Sequence, residues 1–236
     1  MHLSVAVAKV NKWAVRQGGD TVEMLERPDG GLSIVLVDGQ RSGPAAKAIS
    51  VWVTRKVVAE LAEGVRDGAA ARAANDALYT LRNGRVSATL VILTIDLATS
   101  DLVVTRCGGP PIFIYTPEGG WRQLRGDAPT LGFYLHARPD VETLPLQSGL
   151  MACAFTDGLL DAGCRTGRHL DIPAVMAELW QQNSAAKFLV DGLLARAMKL
   201  DDNRPTDDTS IAALYVQPGD GTGPRYMQAE MPVPDV

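Results

Sequence analysis

Apolar residues fall along this chain in two regimes that alternate. Residues 3–10, 21–26 and 32–37 are short runs rich in Val, Ile and Leu, divided by Gly, Asp and Pro. Runs of that length bounded by turn residues predict strands, and Pro28-Asp29-Gly30-Gly31 predicts a hairpin turn between the second and third. After Gly43-Pro44 the period changes. Ala45, Ala48, Ile49, Trp52, Val53, Val57 and Leu61 recur at helical spacing, with Pro44 in the first turn, where its missing N–H costs nothing. A second helix is predicted over 68–82, through Ala70, Ala74, Ala77, Leu78 and Leu81, stopping at Asn83-Gly84. Strand-like runs return at 88–96, 101–106, 111–115, 141–146, 150–156 and 209–216. Between the last two, Ile172, Val175, Met176 and Leu179 mark one helix, and Leu189, Leu193, Arg196-Ala197 and Leu200 a less regular second.

The order is therefore strands, two helices, strands, two helices and a final strand. An α/β (α+β) fold accommodates it: an αββα sandwich of two antiparallel sheets with a helix pair outside each. No internal repeat, linker or low-complexity segment interrupts residues 1–216, which read as one domain. Residues 217–236 differ. Pro218-Gly219-Asp220-Gly221-Thr222-Gly223-Pro224 is loop-like, and Arg225-Tyr226-Met227-Gln228-Ala229-Glu230-Met231 is read either as an added edge strand or as an arm against a neighbouring molecule.

Composition narrows the function classes. With 46% hydrophobic and 21% charged residues the chain can bury a full core, which excludes intrinsic disorder. A net charge of −4 argues against nucleic acid as the main partner, since phosphate-backbone binders carry a basic excess. No apolar run approaches the roughly 18 to 20 residues that span a bilayer, and the N-terminus lacks a signal-peptide pattern. The expectation is a cytoplasmic protein with no membrane partner and no fused sensor or kinase segment. Cys107, Cys153 and Cys164 read as buried free thiols, Cys153 inside an apolar run.

Candidate chemistry lies in four stretches: Gly18-Gly19-Asp20, Asp38-Gly39-Gln40-Arg41-Ser42-Gly43, Phe155-Thr156-Asp157-Gly158 and Thr206-Asp207-Asp208-Thr209-Ser210. Each puts an Asp at or beside the end of a predicted strand. Carboxylates gathered at strand ends repel one another and stay ionised in a partly desolvated site only with cations between them. Hard divalent ions with oxygen ligands, Mg²⁺ or Mn²⁺, suit that donor set. Taken singly, Asp38-Gly39 and Asp157-Gly158 are also ordinary turns, and Asp207 could cap a loop.

The order and context of these stretches resemble the metal-dependent protein phosphatases of the PPM superfamily, in particular the bacterial stage II sporulation protein E type. Ala88-Thr89-Leu90, Ile95-Asp96-Leu97 and Gly108-Gly109-Pro110-Pro111 add to the resemblance, which runs from about Val5 to Val216. It implies the same sandwich fold and a serine/threonine phosphatase with two divalent cations, Mn or Mg, that acts through a metal-bridging hydroxide. It further implies that Asp38 bridges the cations, the Gly39 carbonyl completes the second site, Asp157 and Asp207 join Asp38 at the first, and Asp20 acts on the second through water. Asp208 is then left outside the ligand set.

Arg16, four residues before Asp20 and expected on the preceding strand, and Arg41, where the related pattern has Gly, are candidates for gripping the substrate phosphate. Gln40 stands where some relatives have a His that protonates the leaving group. His2, His136 and His169 fall in no matching motif. The implied substrate is a phosphorylated regulatory protein of the anti-anti-sigma or stressosome kind. A cysteine phosphatase is excluded, because Phe113, Leu159 and Leu170 stand six positions after the three cysteines where that mechanism needs Arg. Neither a nucleophile elbow nor a phosphate loop is present. The competing reading is a binding module that kept the phosphatase fold and lost turnover, for which Arg41 and Gln40 are the best support.

Overall fold

The computed structural model describes residues 1–232. Chain order runs β1 (His2–Val10), β2 (Thr21–Glu26), β3 (Gly31–Gly39), α1 (Gly43–Ala62), α2 (Asp67–Arg82), β4 (Ala88–Asp96), β5 (Asp101–Cys107), β6 (Ile112–Thr116) and β7 (Gly120–Leu124). It continues with β8 (Asp140–Pro145), β9 (Met151–Phe155), the short α3 (Asp157–Asp161), α4 (Ile172–Gln182), α5 (Ala186–Leu200) and β10 (Thr209–Gln217). Two five-stranded sheets result, ordered β1-β10-β9-β6-β7 and β2-β3-β4-β5-β8, with every pairing antiparallel.

The strands read as continuous apolar runs because both faces of each central strand are covered. On β3, Ile34 and Leu36 face the layer between the sheets, while Val35 and Val37 pack against α1 and α2. β10 repeats the pattern: Ala212, Leu214 and Val216 point between the sheets, and Ile211, Ala213 and Tyr215 point to α4 and α5. Period-two alternation thus divides one run among two hydrophobic layers, and the three layers together define the αββα sandwich.

The predicted hairpin forms, with Gly30 N–H donating to the Arg27 carbonyl at 3.0 Å. The predicted stop of α2 also holds, with Asn83 in the left-handed region at φ 51°. Strand β7 was not expected. Its sequence, Gly-Trp-Arg-Gln-Leu, is short and polar because it is an edge strand, paired only with β6. The tail is not an edge strand among the described residues. β10 ends at Gln217, and residues 218–232 are irregular, held by the N-terminal ammonium donating to the Gly219 carbonyl at 2.6 Å and by Arg225 on Glu26 at 3.1 Å. Residues 233–236 of the predicted tail lie outside the described residues. No helix among the described residues is long and apolar enough to cross a membrane.

Candidate active site

The ends of β3, β9 and β10 and the loop before β2 meet at one rim of the sandwich and enclose a cleft of about 400 Å³. Asp20, Asp38, Asp157, Asp207 and Asp208 all line it, with Lys12, Gln40, Arg41, Ser42, Thr89 and Thr130 among the other walls. The four acidic stretches singled out in the sequence are therefore brought together.

Asp38 reaches the cleft because β3 runs to its last pair, Asp38 opposite Thr89 and Gly39 opposite Ala88, before α1 begins. Gly39 allows that junction. A Cβ there would sit 2.2 Å from the Ala46 carbonyl oxygen of α1, so only glycine lets helix and strand approach this closely. Asp20 is only 1% exposed. Thr156 Oγ1 donates to its Oδ2 at 2.9 Å and Ser210 Oγ donates to the same oxygen at 2.7 Å, so β9 and β10 fix it from behind. Asp157 opens α3 and lines the cleft. Asp207 stays half-buried at the cleft edge, and its Oδ1 accepts from the Asp208 N–H at 2.9 Å.

Asp208 plays a different part from its neighbour. Only 4% exposed, it accepts the Lys12 N–H at 2.8 Å and the Gly19 N–H at 2.6 Å. It thus ties down the loop that delivers Asp20. Gly18 is required by the same contact, since a Cβ on it would lie 2.5 Å from Asp208 Oδ1.

Repulsion among the carboxylates shows in their proton affinities. Asp38 is pushed up to about 9, chiefly by burial, then by the charges of Asp20 and Asp157, the hydrogen bond it shares with Asp20 and the charge of Asp207. Asp20 rises to about 6 through burial, against the Ser210 and Thr156 hydrogen bonds that favour its ionised form. Asp157 is also raised, by burial first and then by the charges of Asp207 and Asp161. A cluster of this kind either keeps a proton or takes up cations.

Among the described residues, no three His, Cys, Asp or Glu side chains are gathered tightly enough around one point to hold a metal ion. The carboxylates ring an open cleft instead. That arrangement fits Mg²⁺ or Mn²⁺, which take oxygen donors; Mg²⁺ in particular keeps several waters and uses one or two carboxylates rather than a closed protein cage.

Arg41 lines the cleft with its backbone in the left-handed region, φ 76°, a conformation costly for a residue with a side chain. Gln40 is occupied elsewhere: its N–H donates to the Ser87 carbonyl at 3.0 Å and its Oε1 accepts the Ser87 N–H at 3.1 Å. Arg16 departs from expectation. The β1–β10 ladder ends at Val10 opposite Thr209, so residues 11–20 leave the sheet; Arg16 sits in that loop, exposed, and does not line the cleft. Lys12, which sequence reasoning missed, takes the cleft position. Its signal is faint, a single cation two residues beyond a strand end. His136 and His2 lie against Asp76 and Asp220, and His169 against Cys164, all away from the cleft.

Two antiparallel sheets between helix pairs are the fold of the PP2C-type, or PPM, serine/threonine phosphatase domains. One such domain, from the cell-fate determinant SpoIIE of Bacillus subtilis, solved with a fragment of its regulatory domain, superposes with a TM-score of 0.75 at 17% identity, over 92% of this chain and 64% of that one. The catalytic domain of the serine/threonine phosphatase PstP, solved with two manganese ions, gives 0.68 at 17% identity over 92% and 99%. In sequence, Protein IcfG of Synechocystis is 26% identical over 148 residues, which are 62% of this chain and 23% of that protein. The match to the stage II sporulation protein E (SpoIIE) family spans residues 28–217, and the chain belongs to that family.

Proposed function

We propose that this cleft hydrolyses phosphoserine and phosphothreonine on a bacterial regulatory protein of the sigma-factor partner-switching or stressosome type, with two divalent cations, Mn or Mg, as cofactors. The observation that carries the reading is the convergence of Asp20, Asp38, Asp157 and Asp207 on one cleft, with Asp38 strongly raised by burial and by the other three. Asp38 would bridge the cations, with the Gly39 carbonyl beside it. Asp157 and Asp207 would hold the first ion with Asp38, and Asp20, locked by Thr156 and Ser210, would act on the second. Such ions supply charge neutralisation on the phosphoryl oxygens and a nucleophilic water at neutral pH.

Arg41 and Lys12 flank the carboxylates as the cleft's cations and would orient the substrate phosphate, Arg41 through its paired donors at the start of α1. Gln40, held by Ser87, cannot pass a proton to the leaving group, so solvent must do so. The fold, the family and the solved relative with two manganese ions support this reading.

Phosphate release from a phosphothreonine peptide, followed across a millimolar Mn²⁺ and Mg²⁺ titration, tests it. Saturating activity abolished by chelator is expected; turnover that survives excess chelator refutes the mechanism. The strained Arg41 favours one alternative, a phosphatase-fold binding module whose cleft that side chain obstructs. Inactive wild type together with an active Arg41→Gly variant would establish it.

A further inference from the structure

A second cavity, of about 300 Å³, opens on the far side of Asp20, between β1, β2 and α1. Lys9, Thr21, Val22, Glu23, Lys47 and Thr54 line it with Val51 and Arg55. Lys9 Nζ and Lys47 Nζ both donate to the backbone carbonyl of Asp20, at 2.5 and 2.6 Å, so two ammonium groups are held side by side. Among the described residues neither lysine, nor Arg55, lies within ion-pair distance of a carboxylate. Glu23 is the one acidic side chain on the wall, against three cations.

Thr54 adds an independent sign. It is 1% exposed, and its hydroxyl has no hydrogen-bond partner, a costly state for a buried polar group. Adjacent like charges on the wall, with an unpaired donor buried just behind it, favour one kind of ligand, an anion with several acceptor oxygens. A chloride ion or a water would satisfy the hydroxyl but would not span the two ammonium groups and the guanidinium.

We propose that this cavity binds a small phosphate-class oxyanion, held by Lys9, Lys47 and Arg55, behind the backbone that carries Asp20 to the cleft. The anion would draw the two ammonium groups away from the Asp20 carbonyl, so occupancy bears on the backbone that places that carboxylate. The site is separate from the acidic cleft and does not depend on the activity proposed for it.

The test is titration of the full chain with inorganic phosphate in excess chelator, at constant ionic strength maintained with chloride, read by calorimetry and by amide chemical shifts. Saturable one-to-one binding in the millimolar range or tighter is expected, with shifts clustered around Lys9, Lys47 and Thr54. The Lys9→Gln/Lys47→Gln double variant should bind at least about tenfold more weakly. Arg55→Glu, a change at an exposed position that leaves the packing intact, should weaken binding several-fold, and Glu23→Gln should tighten it. Arg41→Gly, in the cleft, should leave it unchanged. Binding that never saturates, that is indifferent to Arg55→Glu and Glu23→Gln, or that is lost in Arg41→Gly would overturn the proposal. Should the double lysine variant fail to fold, the two surface variants decide alone.

Discussion

Asp38→Asn should make the metal-free protein more stable at neutral pH while removing the residue on which the cleft depends. The folded chain holds the Asp38 proton up to about 9, whereas the unfolded chain releases it near the ordinary value of 3.8. Between those limits the native state binds one more proton than the unfolded state, so stability falls as pH rises, by about 1.4 kcal/mol per pH unit. The amide that replaces the carboxyl in the variant has no such proton to hold. Asp20, raised to about 6, adds a similar decline at the acidic end, and the amide in the variant keeps a donor for the hydrogen bond that Asp38 shares with it. From pH 5 to pH 7 the wild type should therefore lose about 3 kcal/mol relative to the variant. Urea denaturation of both proteins in excess chelator, at half-unit steps across that range, measures the gap. Parallel stability curves would show that burial and the neighbouring carboxylates do not raise Asp38, and the electrostatic argument for cation binding would fail with it.

Neighbouring Asp207 and Asp208 should behave oppositely. Asp207→Asn should weaken Mn²⁺-dependent thermal stabilisation, by loss of the first ion, with little cost to the metal-free fold. Asp208→Ala should cost about 1–3 kcal/mol in metal-free urea denaturation, because it strands the Lys12 and Gly19 N–H groups. Ser210→Ala removes a hydrogen bond that favours ionised Asp20, so the acidic limb of the pH–rate profile should move to higher pH; an unmoved limb would count against Asp20 in the reaction. Burial pushes the Cys107 and Cys153 thiols up to about 12, so alkylation under native conditions should label only exposed Cys164 and leave turnover intact, as mass spectrometry alongside the assay would show.

The fold was legible because its central strands are buried on both faces. Val35 and Ile34 sit in different layers yet are equally apolar, and a run of such residues between turn signals reads as a strand without any knowledge of its partner. The edge strand β7 failed that test, since Arg122 and Gln123 interrupt its apolar pattern and only Leu124 is well buried. At the site, the acidic residues were visible because each lies at or beside the end of a strand run. The groups that hold them were not. Thr156 and Ser210 lie 136 and 190 residues from Asp20, and nothing local marks a hydroxyl that donates across that separation. Arg16 was misplaced and Lys12 overlooked for one reason: loop geometry after Val10 is set by the tether to Asp208, at the other end of the chain.

Mn²⁺ binding to the wild type and to Asp38→Asn, counted by calorimetry and by electron paramagnetic resonance, decides whether the acidic cleft is a two-ion centre built on Asp38. Two ions per wild-type chain are expected, with at least one lost in the variant, and phosphate release from the phosphothreonine peptide should rise with their occupancy. A wild type that takes up no Mn²⁺ at millimolar concentration, or a variant that binds both ions as tightly as the wild type, would show that it is not.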